Sequence, residues 1–146
     1  MDFYLNAEEQ LRSANILFEN GVYRTPVTNL YLACELYLKS LVEVQDPNNP
    51  YLDSHDIVNL GDILKDEFDF KTLRPKLNFL RKYLNDSRYP FNSGVYTKEF
   101  YEELLQIVLD VKYAIDNVNA AKPTKQLLEE KFGKEKVIDT TGEEGK

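Results

Sequence analysis

The stretch from Arg24 to Val44 limits what this chain can fold into more than any other. At about 100° per residue, Val27, Leu30, Tyr31, Ala33, Cys34, Tyr37, Leu38, Leu41 and Val42 gather on one half of a helix. Pro26 is tolerated because it lies in the first turn. At about 1.5 Å per residue such a helix is roughly 30 Å long, enough to cross a small domain. An apolar arc this wide must be covered by other elements, so the helix belongs to a core. The opposite half carries Thr28, Asn29, Glu35, Lys39, Ser40 and Glu43, but Leu32 and Leu36 stand among them. These two leucines are interface candidates, facing another helix, a second subunit or a ligand.

Other segments supply the covering helices. From Asp2 to Glu19, Tyr4, Ala7, Leu11, Ala14 and Phe18 keep helical spacing, and Asn20-Gly21 ends the run. Asp46 to Pro50 reads as a loop, after which Asp53 or Ser54 caps a short helix with Ile57, Leu60 and Leu64 on one face. Thr72 caps a further helix through Leu73, Leu77, Leu80 and Leu84, with Pro75 in its first turn. Asn85 to Val95 is loop-like. Thr97 caps the last helix, in which Phe100, Leu104, Ile107, Val108, Val111, Ile115 and Val118 recur for five turns. The pattern predicts an all-α, up-and-down bundle of four to five helices over residues 1–118. Residues 119–146 then form a short helix, ended by Gly133, and a charged mobile tail.

Charge narrows the function. The net charge is -7, and the segment from Lys122 to Lys146 balances six basic against six acidic residues, so the body carries the whole deficit. That disfavours indiscriminate binding to nucleic acid or anionic membrane. One strip runs the other way: Lys71, Arg74, Lys76, Arg81, Lys82 and Arg88 are opposed locally only by Asp86. It is either a solvated helix face or a place for an anion. No run of about 18 apolar residues exists, the acidic, aromatic start lacks a signal peptide's basic region, and the lone Cys34 has no disulfide partner. These features point to the cytoplasm.

Four stretches, in order, resemble the HEPN family (higher eukaryote and prokaryote nucleotide-binding domains). The first is Ala7 to Arg12 with Leu17 to Tyr23, and the second is Ala33-Cys34-Glu35-Leu36-Tyr37-Leu38-Lys39-Ser40-Leu41. The third is His55-Asp56-Ile57-Val58-Asn59-Leu60, like the family's His-Asp-Leu element, and the fourth is Arg88-Tyr89-Pro90. The resemblance extends to the helical, substrate-binding-like domain of kanamycin nucleotidyltransferase. It implies a bundle that dimerises through helix faces. It also makes Arg88, Tyr89, Lys39, His55, Arg81 and Arg74 candidate ligand-binding residues. Lys39 reads first as the partner of Glu35 in a structural ion pair, four residues apart in the favourable order. His55, a lone histidine at a helix start, reads first as a local packing and hydrogen-bonding residue. A metal is not expected, since no second histidine or cysteine pair completes a ligand set.

Catalytic members of that family are ribonucleases with an arginine followed four to six residues later by a histidine. Arginine steadies phosphorane-like charge and histidine moves protons. The windows after Arg12, Arg24, Arg74, Arg81 and Arg88 hold no histidine. Cys34, on the apolar arc, lacks the setting of a nucleophile, and no phosphate-cradling glycine motif occurs. The expectation is a non-enzymatic module with no cofactor. It binds a nucleotide or a minimal nucleotidyltransferase partner in a toxin–antitoxin-like complex, as a homodimer. The alternatives are a ribonuclease with a rearranged pair such as His55 and Arg88, or a purely structural helical adaptor.

Overall fold

The computed structural model describes residues 2–66, 70–83 and 96–132, and for 70, 71 and 120–132 it describes the backbone alone. Among the described residues there are five α-helices: α1 (Phe3–Glu19), α2 (Thr25–Gln45), α3 (Ile57–Ile63), α4 (Phe70–Lys82) and α5 (Lys98–Phe132). A 3-10 turn at Pro50–Asp53 precedes α3. No strand occurs among the described residues. The chain divides into two compact units, Met1–Ile115 and Asp116–Lys146. In the second, residues 116–132 are helical. The remaining description concerns the first.

The ends of the helices follow from short side chains and one glycine. Asp2 accepts from the Leu5 N–H at 3.0 Å and so satisfies a donor that the first turn of α1 leaves open. At the other end Gly21, at φ 83°, lets the Gly21 and Val22 N–H groups turn back to the Phe18 and Leu17 carbonyls, both at 3.0 Å. This is the Schellman arrangement that the Asn20-Gly21 pair predicts. Thr97 caps α5 through the Phe100 N–H at 3.1 Å.

Side-chain pairs fix the up-and-down order. Tyr4 meets Tyr37 edge-on at 5.3 Å, and Asn29 donates to Gln10 at 2.9 Å, so α1 and α2 run antiparallel. Phe18 stacks on Tyr101 at 4.4 Å while Lys112 pairs with Glu8 at 2.9 Å, so α1 and α5 also run antiparallel. Lys76 reaches Asp110 at 2.9 Å and Tyr83 meets Phe100 at 4.9 Å, which places α4 antiparallel to α5. All nine residues of the apolar arc of α2 are buried, as are Leu104, Ile107, Val108, Val111 and Ile115 of α5.

Four details differ from the sequence reading. α3 is capped by Asp56, which accepts from the Val58 and Asn59 N–H groups; Ser54 instead accepts from the Asp56 N–H. α4 starts at Phe70, so Pro75 sits inside the helix. The carbonyl its ring disturbs belongs to Lys71 in the first turn, and that limits the damage. α5 continues past Asn119 to Phe132, with Pro123 inside it. Lastly, Tyr101 is fully buried, a place the spacing had assigned to half-buried Phe100. The loop over residues 85–95, Leu84, and the tail from 133 lie outside the described residues.

Candidate functional site

The predicted site residues Lys39, His55 and Arg81 come together where α2 meets the start of α3. The centre is Glu35. Glu35 and Lys39 are only 3% and 5% exposed, so the ion pair that spacing suggested is buried, with Nζ 2.9 Å from Oε2. The His55 ring covers it from outside. Its side chain is 82% exposed, and Nδ1 lies 3.0 Å from the same Glu35 Oε2. A carboxylate oxygen only accepts, so the neutral ring carries its proton on Nδ1 and shows the Nε2 lone pair to solvent. The second carboxylate oxygen, Oε1, is buried and receives no hydrogen bond from any described residue.

The backbone that carries His55 is pinned from below. Tyr31, one turn before Glu35, donates its hydroxyl proton to the His55 carbonyl at 2.5 Å and accepts from the Ile57 N–H at 3.3 Å. Burial pushes the Tyr31 hydroxyl up to about 12, the Ile57 N–H opposes this, and the charges of Asp56 and Glu35 add to the rise. Asp56 is the third feature. While capping α3 it accepts two bonds from Arg81 Nη1, at 2.9 and 2.8 Å, and Arg81 Nη2 donates to Asn78 at 2.8 Å.

Three of the six cations of the basic strip are thus answered by carboxylates from other elements. Arg74 pairs with Asp62 at 3.1 Å, Lys76 with Asp110 at 2.9 Å and Arg81 with Asp56 at 2.8 Å. Asp62, Asp56 and Asp110 lie on or beside α3 and α5, far off in sequence, which is why counting charges along the strip overstated its basicity. Lys39 is buried with its ammonium on Glu35, so a phosphate would have to displace that pair to reach it. Arg74 lies two turns from Arg81 on α4, outside the Glu35 cluster. Arg88 and Tyr89 fall outside the described residues. Leu32 and Leu36 are half-buried on α2. Glu35, Asp56 and Tyr31 complete the site without having been chosen for it. The signals were present for the first two, in the Glu35–Lys39 spacing and in the His55-Asp56 dipeptide; the Tyr31 contact is tertiary.

Cys34 is buried, and burial with the neighbouring Glu35 charge pushes its thiol up, away from reactivity. Among the described residues no cluster of histidine, cysteine and carboxylates could hold a metal ion, and no helix is long and apolar enough to cross a membrane.

Compared with known families, the chain matches the HEPN domain model over residues 1–118. Neither a curated protein nor a solved structure matches it.

Proposed function

Because the chain belongs to the HEPN domain family, we propose that it works by binding, as a non-catalytic module whose partner is a protein of the minimal nucleotidyltransferase kind. One observation carries this reading. Lys39, Arg74 and Arg81, chosen from the sequence as ligand contacts, are each already held by a carboxylate within 3.1 Å. A nucleotide's phosphates would have to displace those carboxylates from a chain of net charge -7. A folded protein surface, bearing its own mixture of charges, does not.

The surface at the α2–α3 junction suits such a partner. It offers an oriented, exposed imidazole and a preformed Arg81–Asp56 pair, and the same helix α2 carries the half-buried Leu32 and Leu36. Fixed polar groups around part-apolar ones are the makings of a specific protein interface. The ribonuclease alternative pairs His55 with Arg88, which lies outside the described residues; the Nδ1 of His55 itself faces Glu35.

The test is calorimetric titration of the purified chain with a minimal nucleotidyltransferase, and separately with ATP. Saturable binding to the protein, weakened about tenfold or more by His55→Ala and by Arg81→Ala, is expected. ATP alone should give no saturable heat. Micromolar ATP binding that Arg81→Ala weakens would overturn the reading in favour of a nucleotide site.

A further inference from the structure

The segment that leads into α3 is irregular, yet its backbone is held from Asn49 to Ile57. Asn49 Oδ1 accepts from the Tyr51 N–H at 2.8 Å, the Tyr51 carbonyl from the Ser54 N–H at 2.9 Å, and Ser54 Oγ from the Asp56 N–H at 3.1 Å. The Tyr31 hydroxyl then ties the His55 carbonyl and the Ile57 N–H to α2. Along this segment exposure alternates: Tyr51, Asp53 and His55 are exposed, while Leu52, Ser54 and Asp56 are half-buried. Neither the Tyr51 ring nor the Asp53 carboxylate has a partner among the described residues. A pinned loop that turns uncommitted side chains outward is preorganised for recognition, because little order remains to be imposed on binding.

The three outward side chains call for one chemistry. A neutral His55 ring that gives its Nδ1–H to Glu35 offers only a lone pair at Nε2, so whatever meets it must donate. Behind the ring, Glu35 Oε1 receives no hydrogen bond from any described residue, which leaves part of that carboxylate's charge unanswered. Asp53 adds a free negative charge, and the face of a tyrosine ring attracts a cation. The arginine nearest in the fold does not fill the place, since Arg81 is bonded to Asp56 and Asn78.

We infer that Asp53 and His55 receive an arginine of the partner protein, one guanidinium N–H on His55 Nε2 and another on the Asp53 carboxylate, with Tyr51 beside it. The backbone at Ser54 is extended, φ −77° and ψ 147°, a conformation that carries the side chains before and after it out on one side. At a rise of about 3.3 Å per residue those two positions stand roughly 6–7 Å apart. A planar guanidinium, with donors on separate nitrogens, bridges such a span, whereas an ammonium is a single point of charge. The net charge of -7 draws a basic segment toward the surface before contact. The inference rests on the reading that this junction binds a protein, and adds which group of that protein it holds.

The first test uses the full chain alone. His55 is the only histidine, so nuclear magnetic resonance of the nitrogen-labelled protein reads its ring without assignment. At about pH 8, where an ordinary histidine is neutral, Nε2 should resonate as the bare nitrogen. It should shift saturably with acetyl-arginine amide at about millimolar concentration and stay still with acetyl-glutamate amide. Asp53→Asn should weaken the arginine response about threefold or more. The second test is calorimetric titration with a minimal nucleotidyltransferase. Asp53→Lys and His55→Lys, both at exposed positions and checked for helix content by circular dichroism, should each weaken binding about tenfold or more. A ring protonated on Nε2, no response to arginine, or a response untouched by Asp53→Asn would overturn the inference. So would a nucleotidyltransferase that binds both lysine variants as tightly as wild type, and the protein-binding reading would then stand. If wild type binds no nucleotidyltransferase, that reading fails and the arginine titration alone decides the inference.

Discussion

Replacing Lys39 by methionine is the sharpest probe of how this bundle is built. Spacing alone suggests a surface pair in which Glu35 and Lys39 exchange about 0.3–0.5 kcal/mol. In the structure the two side chains are 4% and 6% exposed, and Glu35 Oε1 has no hydrogen bond from the described residues. Lys39→Met therefore leaves a carboxylate in the protein interior with only the His55 ring against it. Breaking a buried pair from one side costs about 3–5 kcal/mol. Glu35→Leu should cost less, about 1–3 kcal/mol, because the lysine stem can carry its ammonium out to water. The double variant buries no charge and should lie within about 1 kcal/mol of wild type. Urea unfolding followed by circular dichroism reads all four proteins. With a slope of roughly 1–2 kcal/mol per molar, Lys39→Met should lower the midpoint by about 1.5 M or more. The reasoning fails if Lys39→Met costs under about 1 kcal/mol and adds simply to Glu35→Leu, since coupled buried charges cannot behave that way.

Three further outcomes follow from the packing. Tyr101→Ala removes the ring stacked on Phe18 and should cost about 3–5 kcal/mol in chemical unfolding, whereas Tyr101→Phe loses only the bond to Asn15 and should cost about 1 kcal/mol. Cys34 should react with a thiol reagent only at the rate of unfolding, and modification of the native protein within seconds would contradict its burial. Burial alone would raise Glu8 and Asp110. The bonds from Lys112 and Tyr37 to Glu8, and from Lys76 and Gln106 to Asp110, outweigh it and hold both below their ordinary 4.5 and 3.8. Their stabilisation is complete above those ordinary values and is lost as pH falls through the lowered ones. Lys112→Met and Lys76→Met should each flatten the acid limb of a stability–pH profile, and an unchanged limb would refute the pairing.

Local chemistry made most of the bundle legible. The apolar arc of α2, the Gly21 stop and the Thr97 cap each act within a few residues, and the structure shows all three. What spacing missed depended on tertiary partners. Tyr101 and Phe100 are adjacent, and only the position of Phe18 decides which is buried. The start of α4 at Phe70 overrode a good capping residue at Thr72. Glu35 and Lys39 stand on the polar half of α2, and nothing in their neighbourhood announces that the His55 segment will cover them. Arg74, Lys76 and Arg81 looked unopposed because their carboxylates come from α3, α5 and the residue before α3. The grouping of Lys39, His55 and Arg81 was legible only as a likeness to a family, since Asp56 and Glu35 form the links among them.

The central claim, that this HEPN chain binds rather than cuts, is met most directly by a cleavage assay. Fluorescently labelled single-stranded RNA would be incubated with the purified chain in excess, without added metal, beside a His55→Ala control. The account predicts intact RNA, identical for both proteins and for buffer. Cleavage by the wild type that His55→Ala abolishes would contradict it, and would make the exposed Nε2 of His55 a proton-transfer group.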